Sequence, residues 1–310
     1  MAAEGAIVVG GEALIDLVPQ PGGGLRAHPG GGPYNTARTL GRLAQPVHYL
    51  GCLSDDGFGR RLGAQLQDDG VALDAVVPTS KPTTLALAEL DAGGSATYRF
   101  YSDGTSAPAL EPGEALAALP STVDMLHIGT LALVMEPTAL ALQAVVEAVS
   151  GSALVMVDPN CRPGFIPDRD AYRRNLAATL RHAHVVKASL EDLIYLEPDK
   201  GPESAARALL AEGPSVALVT LGAQGAAIVT RAGQERVPAP EVDVVDTIGA
   251  GDAFGGGFLA WWRLRELGRA ELSDEESLRA ATAFACAVAA RTCERPGAAP
   301  PQLAEVADRL

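Results

Sequence analysis

Asp246-Thr-Ile-Gly-Ala-Gly-Asp252-Ala-Phe-Gly-Gly-Gly-Phe258 sets an acid directly behind a Gly-Ala-Gly turn, with three more glycines one turn later. Where such a turn enters a helix, its backbone N–H groups lie unpaired at the positive end of the helix dipole, a geometry that binds an anion. An aspartate in a first turn can be a simple helix cap, but the further glycines exceed what a cap requires and admit a ligand or a packed backbone. Asp252 is therefore the candidate general base, and Gly249, Ala250 and Gly251 are the candidate anion site. A second run, Gly30-Gly-Gly-Pro-Tyr-Asn35-Thr-Ala, also opens a helix, with Pro33 near its first position. Glycines alone would make this a flexible loop. Asn35 adds an amide that donates and accepts toward a polyol, while Gly31 and Gly32 let a sugar approach bare backbone.

The two motifs together resemble the paired signatures of the ribokinase-like (PfkB) carbohydrate kinase family, and the resemblance spans the chain. Gly10-Gly-Glu-Ala-Leu-Ile-Asp16 is similar to the family's first strand with its sugar-binding aspartate. Asp158-Pro-Asn-Cys-Arg162-Pro resembles the segment that sets an arginine near the transferred phosphate, and Thr220-Leu-Gly222-Ala-Gln-Gly225 the turn lying along the nucleotide. The resemblance implies a single domain over residues 1–310: a three-layer α/β/α sandwich with a mostly parallel central sheet, and a small β-sheet lid formed by parts of 13–30 and 83–104. It implies transfer of the γ-phosphoryl group of ATP to a sugar hydroxyl. Asp252 would accept the hydroxyl proton, while the Gly249 to Gly251 amides and Arg162 meet charge on the phosphoryl group. Asp16, Gly31, Gly32, Asn35, Arg99 and Tyr101 would face the sugar; Lys187, Ser189, Thr220, Gly222, Gly225 and Gly251 would face the nucleotide. Phosphoryl transfer has a loose transition state, so positioning and electrostatics outweigh covalent chemistry.

Three departures from the family pattern carry information. Lys187-Ala-Ser189-Leu-Glu191-Asp192 stands where many members have N-x-x-E. Either Glu191 or Asp192 orients hydrated Mg²⁺, or a surface helix capped by Ser189 starts here. The family's monovalent-cation loop would use Asp246 and the carbonyls of Ile248, Thr292, Arg295 and Gly297 to hold K⁺, yet Pro301 replaces a serine ligand. Ser102 follows Tyr101 where members acting on 2-keto-3-deoxygluconate resemble one another in placing an arginine for the carboxylate, so a neutral hexose is expected. The GEALIDLVP, FYSDGT and CERPGAAPP stretches are similar to bacterial fructokinases, which implies conversion of D-fructose to fructose 6-phosphate. Strand alternation sets a plainer alternative for Arg99 and Tyr101, with at most one of them facing the sugar. Rival substrates within the family are 2-keto-3-deoxygluconate, ribose and nucleosides. A catalytically idle sugar binder on the same fold is the rival from another class.

These residues need a scaffold, and the chain supplies a repeating one. Short aliphatic runs at Ala6–Gly10, Val47–Leu53, Asp124–Ile128, Leu154–Val157, His184–Val186 and Val216–Thr220 read as strands. Between them, Pro33–Ala44, Phe58–Asp69, Thr138–Val149, Asp170–Arg181 and Glu203–Ala211 read as helices. That alternation predicts parallel strands with crossover helices and a ligand site beyond the strands' carboxyl ends. Thr83 to Tyr101 breaks the rhythm as a hairpin turning at Asp91-Ala-Gly-Gly94, able to join Ala13 to Val18 in a small separate sheet. Gly225 to Pro238 is a shorter hairpin, and helices are expected at Ala250–Leu267, Asp274–Arg291 and Pro301–Leu310.

Composition narrows the alternatives. The 310 residues are 47% hydrophobic and 20% charged, too apolar for a disordered chain, and 38 acidic against 24 basic side chains leave a charge of -14. Such a chain lacks the basic field of a nucleic-acid or anionic-membrane binder. Lysines are confined to Lys81, Lys187 and Lys200, none preceded by glycine, which excludes a G-x-x-x-x-G-K-[ST] loop. The first strand is not followed by G-x-G-x-x-G, which argues against a dinucleotide oxidoreductase. Cys52, Cys161, Cys286 and Cys293 show no metal-ligand spacing and read as reduced thiols. His182 and His184 read as ordinary residues rather than a metal pair, and Met125, Met135 and Met156 as core fillers. No signal-like n-region precedes Arg26 and no apolar run reaches the ~18 residues of a membrane span. A cytoplasmic enzyme is expected, with a homodimer formed through the lid as the resemblance to dimeric relatives implies.

Overall fold

The structure, a computed structural model, describes residues 5–20, 22–90 and 96–310. Its larger sheet contains β1 (Ala6–Gly10), β4 (Val47–Ser54), β5 (Val76–Thr79), β8 (Val123–Gly129), β9 (Leu154–Asp158), β10 (Val185–Ser189), β11 (Val216–Thr220), β12 (Ala226–Thr230) and β13 (Gln234–Val237). They lie in the order β13-β12-β11-β10-β9-β8-β1-β4-β5. Every pairing from β5 across to β11 is parallel, and the closing hairpin of β12 and β13 is antiparallel. Parallel strands are buried on both faces, which is why they read as unbroken aliphatic runs.

Side chains alternate between two cores. Ile7 and Val9 of β1 enter the core under α1 (Gly32–Arg42), α2 (Gly57–Asp68), α8 (Ala250–Leu264) and α9 (Glu275–Cys293). Val8 enters the opposite core, under α3 (Pro112–Ala117), α4 (Thr138–Val149), α5 (Arg169–Leu180), α6 (Leu190–Leu196) and α7 (Pro202–Ala211). The result is the expected α/β/α sandwich. Met125, Met135 and Met156 are core residues, as read from the sequence. His184 serves the scaffold, its Nδ1 accepting the Val155 N–H at 3.0 Å.

α8 wedges between α1 and α9 because its glycines remove side chains from the contact. A β-carbon on Gly256 would lie 2.8 Å from the Cβ of Thr39 in α1. This close approach brings the first turns of α1 and α8 together, and those turns carry Asn35 and Asp252.

The second sheet has four strands in the order β3 (Leu25–Gly30), β2 (Leu14–Pro19), β6 (Leu85–Leu90) and β7 (Ala96–Tyr101). The expected hairpin joins the expected strand at 13–18 through parallel pairing of β2 with β6; its turn at Asp91 to Gly94 lies outside the described residues. One cross-strand row, Asp16–Ala86–Phe100, faces the main sheet's carboxyl ends, and the next row, Ile15–Leu85–Tyr101, lies on the opposite face and runs from the buried Ile15 in the core to the exposed Tyr101. Asp56 ties this sheet's approach to α2. Its carboxylate caps the helix by accepting the Gly59 N–H at 2.7 Å and also accepts the Thr83 N–H at 2.7 Å.

Most helix ends fall within two residues of expectation, and the larger differences come late in the chain. α8 ends at Leu264 rather than Leu267, and Pro301 to Leu310 forms only short 3-10 turns at Leu303–Glu305 and Ala307–Arg309. Leu303, Val306 and Leu310 have helical spacing and Val306 is buried, but ten residues opening on a proline are too few to sustain a helix.

Candidate active site

β1 and β8 are neighbours whose chains leave toward different parts of the sheet, and the crevice at such a switch point is where an α/β sheet receives ligands. Here it opens into a cleft of about 1140 Å³ running from the small sheet, past the head of α8, to α9. Its chemistry changes along its length.

One end is acidic and polar. Glu12, Asp16, Asn35 and Asp252 line it together with Gly31 and Gly32, and Leu14, Leu131, Tyr98 and Phe100 supply apolar walls. Asn35 donates from Nδ2 to Asp252 Oδ2 at 2.9 Å. Its own buried Oδ1 accepts no hydrogen bond among the described residues, which leaves an acceptor for a hydroxyl. Burial raises Asp252 above the usual carboxylate range, while Lys187, Asn35 and Arg162 pull the other way. Asp16 is pushed up to about 6 by burial and by Asp252, against Arg162. Burial takes Glu12 up to about 8 against hydrogen bonds from backbone N–H groups, with Asp252 adding to the rise.

The middle of the cleft is cationic. Gly249 precedes α8 with a left-handed φ of 77°, and a β-carbon there would also lie 2.5 Å from that of Ala298, so glycine is required. The Ala250 N–H turns back to the Thr247 carbonyl at 3.2 Å. The N–H groups of Gly251 and Asp252 have their i−4 positions outside the helix, the geometry that favours an anion. Of the three turn amides expected as donors, Ala250 is thus engaged within the turn. Beneath them, Lys187 Nζ sits 3.0 Å from where a Gly251 β-carbon would be and pairs with Asp158 at 2.7 Å. Burial alone would lower the Lys187 pKa; Asp158, then Asp252 and Asp192, more than reverse this, and the ammonium stays charged. Arg162, held by the Asn160 side chain at 2.6 Å, lines the same stretch.

At the far end Ala239, Val242, Val244, Ala289 and Ala290 form an apolar slot beside Glu241, Asp243 and Glu294. Between this slot and the middle lie Ser189, Glu191, Thr220, Gly222 and Gly225. The cleft can thus hold a polyol against Asp252, an anion at the α8 terminus and an aromatic base beyond it.

Several expected residues fall elsewhere. Arg99 and Tyr101 do not line the cleft: strand alternation sends both to the outer face, where Arg99 pairs with Glu89 at 2.8 Å and Tyr101 is exposed. Tyr98 and Phe100 take the inward positions, and with an aromatic on each face of Tyr98 to Tyr101 the alternation alone does not say which face is inward. Asp192 is also removed from the cleft. Its oxygens accept the N–H groups of Cys161 at 2.6 Å and Ser189 at 2.7 Å, completing a capping box with Ser189, so the capped-helix reading describes it. Glu191 remains on the cleft wall. Asp246 bridges two loops by accepting the N–H groups of Ile248 at 3.0 Å and Gly297 at 2.8 Å, and the Arg295 N–H donates to the Thr292 carbonyl at 3.2 Å. These five residues therefore form one neighbourhood. The sequence reading missed Glu12, an acid set among glycines and aliphatics at the end of a buried strand, and the apolar slot, which has no motif.

Comparison with known proteins bears on the same cleft. A profile of the pfkB family carbohydrate kinases matches residues 5–305. A fructokinase of Rhizobium leguminosarum bv. trifolii is 33% identical over 276 residues, covering 87% of this chain and 84% of that protein. Among solved structures, fructokinase from Xylella fastidiosa with bound ATP superposes with a TM-score of 0.90 at 29% identity, covering 98% of this chain and 97% of the other. Fructokinase from Vibrio cholerae O395 bound to fructose, ADP and calcium ion superposes with a TM-score of 0.87 at 26% identity, covering 99% of each.

Proposed function

The chain belongs to the pfkB family of carbohydrate kinases, and from that premise we propose that it is an ATP-dependent fructokinase making fructose 6-phosphate. The observation that carries this reading is the buried Asp252 at the head of α8, held by Asn35 between a polar pocket and an anion-binding helix terminus. In this reading Asp252 takes the proton of the sugar hydroxyl as its oxygen bonds to the γ-phosphorus and the bond to ADP breaks. The Gly251 and Asp252 amides, Lys187 and Arg162 hold the phosphoryl charge. Asp16, Gly31, Gly32 and Asn35 hold the sugar, and Ser189, Thr220, Gly222 and Gly225 border the nucleotide. The fructokinase relatives support fructose as the substrate. So does the electrostatics: Asp16 and Asp252 at one end of the cleft disfavour a sugar acid such as 2-keto-3-deoxygluconate.

Magnesium fits the donors present. Mg²⁺ keeps several waters and takes one or two carboxylates plus substrate phosphates; Glu191 offers that carboxylate, and the ion would neutralise phosphate charge. The neighbourhood of Asp246, Ile248, Thr292, Arg295 and Gly297 supports a K⁺ site. The small sheet is read as the lid of one domain over 1–310, closing over sugar to exclude water. Its outer face, with Leu17, Leu85 and Leu87 partly covered and Leu25 and Tyr101 exposed, supports a homodimer through the lid. Among the described residues no helix is long and apolar enough to cross a membrane, and we place the enzyme in the cytoplasm.

Coupled ADP release over a panel of fructose, ribose, 2-keto-3-deoxygluconate and a nucleoside tests the reading. Fructose is expected to give the highest kcat/KM, with Mg²⁺ required and K⁺ activating. Sedimentation of the same sample is expected to show a dimer. ADP release with no sugar, despite fructose-induced thermal stabilisation, would favour an idle binder.

A further inference from the structure

Glu12 leaves the end of β1 at the switch point of the sheet and is fully buried. Its Oε1 accepts the Gly32 N–H at 3.1 Å, and its Oε2 accepts the Ala132 N–H at 3.0 Å. These donors belong to different walls of the polar pocket. Gly32 begins α1, whose next turn brings Asn35 to Asp252; Ala132 belongs to the 3-10 turn Thr130–Leu133 that follows β8. The walls converge closely. A β-carbon on Gly31 would lie 2.4 Å from the Glu12 carbonyl oxygen, and one on Gly32 would lie 2.2 Å from Thr130 Oγ1. Thr130 itself sits at a φ of 62°, a conformation a β-branched residue holds only when its surroundings impose it.

We propose that Glu12 is a positioning residue of the sugar pocket, a buried two-acceptor clamp that sets the start of α1 against the 130–133 turn. The proposal rests on reading the polar end of the cleft as the sugar site. The ionised form meets both N–H groups with acceptor oxygens, and these hydrogen bonds pull the group toward the carboxylate against burial. A glutamine of the same shape offers one acceptor and must turn its NH₂ toward the second backbone N–H, leaving that donor unsatisfied in a buried site. The start of α1 then shifts, and with it Gly32, Asn35 and the orientation of Asp252. The nucleotide end of the cleft is built from other elements and is unaffected.

The test compares wild type, Glu12→Gln and Glu12→Asp by steady-state kinetics in fructose and in ATP, with thermal shifts by each ligand. Glu12→Gln is expected to raise the fructose KM roughly ten- to hundredfold, with the ATP KM within about twofold of wild type. Stabilisation by fructose is lost and stabilisation by ATP is kept. Glu12→Asp, with both acceptors on a shorter arm, is expected to fall between the two and gives the same readout should the glutamine variant not fold. A fructose KM unchanged in both variants, or a rise of fructose and ATP KM by the same factor, overturns the proposal. A wild-type chain that turns over no fructose contradicts the reading of the cleft and the inference with it; an active wild type with unchanged variants contradicts the inference alone.

Discussion

Asp252 has to be ionised to take a proton, yet it is buried where ionisation is costly, and its pKa is raised. Its neighbour Asp16 titrates at about 6 and feels Asp252, so the acid limb of activity belongs to the pair rather than to one residue. The sign follows directly: raised folded-state values mean that falling pH protonates the pair earlier than isolated aspartates, whose pKa is about 3.9. The pH profile of kcat/KM for fructose is expected to bend downward near pH 6 and then to drop roughly tenfold per unit. A rate that stays flat to pH 4.5 would contradict this. At this scale the sequence was legible wherever a motif fixes the backbone, as at Gly249 to Asp252. It was not legible where a side chain's direction depends on strand parity, as for Arg99 and Tyr101. Glu12 was hidden for another reason: its partners Gly32 and Ala132 are backbone groups, and backbone donors leave no mark on composition.

The helices hold the site by close packing. α1 and α8 meet at Gly256 and Thr39, and the same pairing sets the 2.9 Å contact of Asn35 with Asp252. Gly256→Val would place a branched side chain where even a β-carbon is 2.8 Å from Thr39. It is expected to destabilise the fold by about 1–3 kcal/mol in denaturant unfolding, and to lower kcat in the protein that remains folded; unchanged stability and kcat would show that the packing does not set the site. The strand and helix alternation that builds this layer was readable because buried parallel strands are continuous aliphatic runs and their crossover helices are amphipathic. The wedge of α8 between α1 and α9 was not, since three glycines announce close approach without naming what approaches. The 301–310 segment was misread as a helix because its apolar residues fall at helical spacing, while its shortness, which prevents a helix, leaves no mark on that pattern.

Over the whole molecule, a charge of -14 leaves a tetra-anionic nucleotide few partners. Among the described residues lining the cleft, Arg162 and Lys187 are the basic ones, so under the proposed function ATP is met locally, by those two groups, the α8 terminus and a hydrated Mg²⁺ that Glu191 would orient. The two sheets divide the work: the large one fixes the anion end, and the small one brings Asp16 and Phe100 over the polar end. All of these arrangements converge on one proton transfer. The role of Asp252 is most directly measured as kcat for fructose phosphorylation by Asp252→Asn beside wild type. Asparagine keeps the shape and the contact region of Asn35 but cannot take the proton. The account predicts a loss of about 10²–10⁴-fold in kcat with fructose still stabilising the variant against heat; a kcat near that of wild type would contradict it.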